Sequence, residues 1–145
     1  MSTIESRIKR LIPEIISQFP SIEVMYLFGS HACRSATTES DVDVAVFTDG
    51  RQPILMDLEL GAFLQDKLAK PVDVVIMQKV SPILQHEVLR NKIRLFEKNP
   101  DKRLHLENRS LRAYFDARHY QEKRTFWKRQ SHGQDRRHQA FVEQS

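Results

Sequence analysis

Leu27-Phe28-Gly29-Ser30 and, ten residues further on, Asp41-Val42-Asp43-Val44-Ala45-Val46-Phe47 are the stretch that decides the fold. Gly29-Ser30 ends a run of strand formers (Ile22, Val24, Met25, Tyr26, Leu27, Phe28), and Asp41-Val42-Asp43 opens another. A third run, Val72 to Met77, carries Asp73 at its start. Side chains alternate across a strand, so Asp41 and Asp43 share a face, roughly 6–7 Å apart along it. Like charges there repel, and desolvation sharpens the repulsion. A bound cation removes that penalty, and Mg²⁺ suits carboxylates combined with substrate phosphates. Two such ions, about 3.5–4 Å apart, can clamp the attacking and leaving oxygens of an in-line displacement. Two carboxylates rarely suffice for two ions, and Asp73 is the best third candidate.

Gly29-Ser30 suits the phosphate end. Glycine lets the backbone approach without a Cβ in the way. Ser30 can cap a short following helix and offer its hydroxyl, and N–H groups at a helix start attract anions. Gly-Ser alone reads as an ordinary turn. The same pair at this spacing, between strands and with Asp73 behind it, does not.

The string Gly29-Ser30-x10-Asp41-x-Asp43 resembles the nucleotidyltransferase signature of the DNA polymerase β superfamily. Over about residues 1–97 the chain is similar to its minimal nucleotidyltransferase (MNT) branch, the antitoxins of the HEPN/MNT toxin–antitoxin family. The resemblance implies a polymerase β-like fold. It implies that Asp41, Asp43 and Asp73 bind two Mg²⁺ ions, with Asp73 also taking a proton from the attacking hydroxyl. It implies that Gly29 and Ser30 hold the triphosphate of ATP. It further implies transfer of AMP to a tyrosine hydroxyl of a HEPN-type ribonuclease toxin, which neutralises it within a hetero-oligomer. Family members often carry Arg-Ala-Arg-Gly after Gly-Ser, where this chain has His31-Ala32-Cys33-Arg34. Arg34 is the candidate for a phosphate contact from a shifted position. Two other functions remain open: an antitoxin that only covers its toxin, and a transferase acting on a small molecule such as an aminoglycoside.

The remaining chain sets bounds. At 145 residues, 40% of them apolar, it supports one domain, or a core plus an appendage. No apolar run approaches 18 residues, and the N-terminus does not read as a secretory signal. Cys33, the one cysteine, excludes an internal disulfide and reads as a small filler side chain. A cytoplasmic location is expected. Residues 1–97 carry 11 Lys/Arg and 13 Asp/Glu (net −2), and residues 98–145 carry 12 and 6 (net +6). That basic segment could meet an acidic protein face or nucleic acid, the latter not favoured. Arg112 and His119 match a loose HEPN ribonuclease spacing, but without the surrounding helical bundle they are read as chance.

The periodicity predicts a helix over 3–18 with a Ser2/Glu5 capping box and either a kink or a helix restart at Pro13. Strands follow at 22–28 and 41–47, then a helix over 54–69 with Leu55, Leu58, Phe63, Leu64 and Leu68 among its buried candidates. A strand at 72–77, a helix of about 82–91 capped by Ser81-Pro82, and a short edge strand at 93–96 complete the core. This order predicts an α/β (α+β) fold, a small mixed sheet with helices mainly on one side. The expected division is a core at 1–97, a C-terminal helix at 98–128 and a flexible basic tail at 129–145. The helix shows a stripe of Leu104, Leu111 and Phe115, which either packs back on the sheet or meets a partner.

Overall fold

A computed structural model describes residues 3–33, 36, 37 and 40–132. The sheet has four strands: β1 (Ile22–Phe28), β2 (Val42–Thr48), β3 (Val72–Ile76) and β4 (Ile93–Glu97). Their order is β3-β2-β1-β4, so β3 and β4 form the edges. β1 pairs antiparallel with β2 and β4, and β2 pairs parallel with β3, as the mixed-sheet expectation requires. The helices are α1 (Ile4–Gln18), α2 (Met56–Leu68), α3 (Pro82–Arg90) and α4 (Pro100–His132).

One expectation is corrected. The helices do not gather mainly on one side of the sheet. Ile8 and Ile15 of α1 and Met56, Leu60, Leu64 and Leu68 of α2 pack on Met25, Leu27, Val42, Val44 and Val46. Val88 of α3 and Leu106 of α4 pack on the opposite strand positions, Val24, Tyr26, Ala45 and Phe47. The cause is composition: β1 and β2 are apolar at alternate and intervening positions alike, so both faces need cover. The strand face that carries Asp43 and Asp73 is the one beneath α3 and α4.

Local boundaries shift for identifiable reasons. Thr3, not Ser2, caps α1, its hydroxyl accepting from the Ser6 N–H at 3.1 Å. Ser2 lies outside the described residues. α1 runs through Pro13 as one helix. In α2 the i, i+4 series Met56, Leu60, Leu64 and Leu68 faces the sheet, which leaves Leu55 and Leu58 exposed, contrary to expectation. Ser81 caps α3 as predicted, accepting from the Leu84 N–H, with Pro82 in the first turn.

α4 continues past residue 128 to His132, so residues 129–132 are helix and not tail; the rest of the predicted tail lies outside the described residues. Its stripe of Leu104, Leu111 and Phe115 stays exposed. The helix is seated instead by Leu106, buried Ser110 and a polar network. Tyr26 of β1, itself buried, donates its hydroxyl to Glu107 at 2.7 Å. Arg103 bridges Glu107 (3.0 Å) and Glu97. Ser110 donates to Gln85 at 2.6 Å, and His86 stacks on Tyr114 with ring centroids 3.7 Å apart.

Burial, and then the adjoining Glu107 carboxylate, hold the Tyr26 phenol protonated far above its ordinary range. Tyr26→Phe removes a hydrogen bond to a charged acceptor while keeping the ring. It should lower the unfolding free energy by roughly 1.5–3 kcal/mol in a urea titration. Loss below about 0.5 kcal/mol would show that the bond to Glu107 contributes little.

Candidate active site

The registers assemble the site. Phe28 at the end of β1 lies opposite Asp43, and Asp43 lies opposite Asp73. The exit of β1 and the starts of β2 and β3 therefore meet at one end of the sheet. Asp41, one residue ahead of β2, and Asp73 are exposed, and Asp43 is half-buried between them. The backbone around Asp41 is fixed, since the next residue, Val42, donates its N–H to the Pro71 carbonyl at 2.9 Å. That bond also ties the start of β2 to the approach of β3 and Asp73.

Gly29 leaves β1 into a short 3-10 turn, Gly29–His31, with φ of +72°. The Ala32 and Cys33 N–H groups both return to its carbonyl at 3.1 Å, which closes the turn. A Cβ on Gly29 would lie 2.3 Å from Asp43 Oδ2. The glycine thus serves two needs at once: a left-handed backbone, and room for the Asp43 carboxylate against the turn. Ser30 stands in the middle of this turn. The structure therefore brings Gly29, Ser30, Asp41, Asp43 and Asp73 to one end of the sheet, while Arg34 lies outside the described residues.

Charge crowding marks the centre. Burial raises the Asp43 carboxyl above its ordinary range, and the neighbouring Asp73 and Asp41 carboxylates raise it further. His31 pulls in the other direction. Among the described residues, no three His, Cys, Asp or Glu side chains already converge into a closed ligand set. Mg²⁺ dehydrates reluctantly and is commonly held by one or two carboxylates together with substrate phosphates. Asp41, Asp43 and Asp73, gathered at one end of the sheet, are oxygen donors of the kind such an ion takes.

His31 is the residue that sequence reasoning passed over as a mere departure from arginine. Its Nε2 lies 3.3 Å from the Ser40 carbonyl, across the loop that joins β1 to β2. A histidine directly after the Gly-Ser pair was the available signal.

A turn crowded against carboxylates at the head of a mixed sheet defines a nucleotidyltransferase-type site. The polymerase beta nucleotidyltransferase family model matches residues 10–101, and the chain belongs to that family. It is 29% identical over 85 residues to the protein adenylyltransferase MntA of Shewanella oneidensis, a match covering 59% of each chain. The chain therefore spans about three fifths of the length of that curated relative. It is also similar to a toxin–antitoxin crystallised with AMP-PNP, with a TM-score of 0.66 and 25% identity over 84% of this chain and 93% of that one. The complex of a tri-AMPylated S. oneidensis HEPN toxin with its MNT antitoxin shares the fold, with a TM-score of 0.62 and 22% identity over 84% and 93%.

Proposed function

We propose that this chain is an MNT antitoxin that transfers AMP from ATP to a tyrosine hydroxyl of a HEPN-type ribonuclease toxin. The observation that carries the reading is the approach of Gly29 to Asp43 beside Asp73, in a chain similar to a protein adenylyltransferase. The tyrosine oxygen forms a bond to the α-phosphorus, and the bond from that phosphorus to the oxygen leading to the β-phosphate breaks. Pyrophosphate leaves with that oxygen. Asp73, exposed at the start of β3, takes the hydroxyl proton. The turn at Gly29 and Ser30 holds the triphosphate, with Arg34 adding a phosphate contact. Two Mg²⁺ ions held by Asp41, Asp43 and Asp73 supply charge stabilisation on the phosphoryl oxygens when bound. Fixed carboxylates and a fixed turn contribute the rest through orientation.

On the toxin, the added nucleotide brings bulk and negative charge, which oppose the approach of RNA in the way a phosphate would. The catalytic unit is the 1–97 core, with α4 as an appendage. Among the described residues no helix is long and apolar enough to cross a membrane.

The test is intact mass of the protein encoded beside this chain's gene, after incubation with the chain, Mg²⁺ and each nucleoside triphosphate in turn. The expected result is a gain of one or more AMP units with ATP, absent with the Asp41→Asn/Asp43→Asn double variant. Tight binding with no mass gain would sink the transfer reading in favour of a covering antitoxin. Turnover on an aminoglycoside with no protein partner would point to a small-molecule enzyme.

A further inference from the structure

The loop that joins the phosphate turn to the carboxylate strand is closed at two points. One is the approach of Gly29 to Asp43. The other is the contact between His31 Nε2 and the Ser40 carbonyl. A carbonyl oxygen only accepts, so this contact requires the proton to sit on Nε2 of the ring. Ser40 is held on its other side by Thr37, whose carbonyl accepts from the Ser40 N–H at 3.1 Å and whose N–H donates to Ser40 Oγ at 2.8 Å. The next residue is Asp41, and the one after it, Val42, is tied to Pro71. The exposed Asp41 is thus bracketed by two anchored peptides, and His31 supplies the anchor on the side of the turn.

We propose that His31 is a positioning residue of this site, whose ring N–H holds the Ser40 carbonyl and so sets the backbone from which Asp41 projects. The mechanical logic is simple. β-pairing begins only at Val42, so nothing in the sheet fixes the peptide ahead of Asp41. Without the ring, Ser40 keeps only its bonds to Thr37 within the loop, and the tie that fixes the Asp41 peptide against the turn is lost. The inference rests on the transfer reading for its kinetic consequence, but not for its structural one.

The experiment compares three variants of the full chain. His31→Gln keeps an N–H near the position of Nε2, His31→Asn has a donor too short to reach, and His31→Leu has none. Hydrogen exchange of the Ser40–Val42 amides should speed up by about fivefold or more in the Asn and Leu variants and stay near wild type in Gln. In the transfer assay the same two variants should lose kcat by about 10- to 100-fold with KM for ATP changed less than threefold, and Gln should rescue. A rise in KM with unchanged kcat and unchanged exchange would make His31 a phosphate contact and overturn the proposal. Equal behaviour of Gln and Asn would overturn it too. If His31→Leu fails to fold, the comparison of Gln with Asn still decides. If the wild type transfers nothing, the transfer reading fails, and the exchange measurement decides the role of His31 by itself.

Discussion

Asp43→Asn is expected to reduce transfer by about 10³-fold while making the metal-free protein more stable at neutral pH. The two effects have one cause. Asp43 is half-buried and faces Asp73 and Asp41, so burial, and then those neighbours, raise its carboxyl in the folded state. A carboxyl held above its unfolded value binds its proton more tightly in the native chain. Ionising it therefore costs folding free energy. Below the unfolded value both states are protonated and the penalty is absent. Above the raised folded value it is complete. Asparagine never ionises and escapes the penalty, so its melting temperature in chelator at pH 7 should exceed that of wild type. The gap should close as pH falls through the raised value. Mg²⁺ with a non-hydrolysable ATP analogue should then raise the melting temperature of wild type, and of the variant far less. A variant both inactive and less stable at every pH would show that Asp43 is held by packing, and that the crowded carboxylates are not the origin of its altered chemistry.

Much of this site was legible before any fold was known, because its parts are local in sequence. Alternation alone puts Asp41 and Asp43 on one face. Runs of β-branched residues place them, with Asp73, at the starts of strands. What could not be read was what depends on distant pairing. Tyr26 looks like one more apolar strand residue until α4 brings Glu107, 81 residues away, to its hydroxyl. The continuous apolar character of β1 and β2 announces two covered faces, which the expectation of helices mainly on one side leaves out. Leu55 precedes the first turn of α2, and Leu58 falls off the i, i+4 line of Met56, Leu60, Leu64 and Leu68 that faces the sheet, so both stay exposed. His31 stood in plain view, but its partner is a backbone carbonyl, and carbonyls leave no trace in sequence.

Among the glycines of the described residues, Gly29→Ala should be the most damaging alanine substitution. It meets two independent obstacles. At φ of +72° any L-residue pays the left-handed penalty, about 1–2 kcal/mol. Its Cβ would also lie 2.3 Å from Asp43 Oδ2 and 3.2 Å from Asp43 Cγ, so the turn or the carboxylate must move. A shift of about 1 Å in such a group costs on the order of 100-fold in rate. Gly50 separates the two effects. It also has a positive φ, +87°, but a Cβ there meets nothing within 4 Å, in a loop at the opposite end of β2. Gly50→Ala should therefore cost stability by about the same backbone penalty and leave transfer unchanged. Gly29→Ala should cost more in a urea titration and lose transfer by about 100-fold or more. Cutting Asp43 back to alanine in the Gly29→Ala background removes the obstructing carboxylate. The stability cost of the Gly29 substitution measured there should shrink to that of Gly50→Ala, since only the backbone remains to be strained. An undiminished cost would place the conflict elsewhere in the turn and deny that Gly29 is glycine for the sake of Asp43.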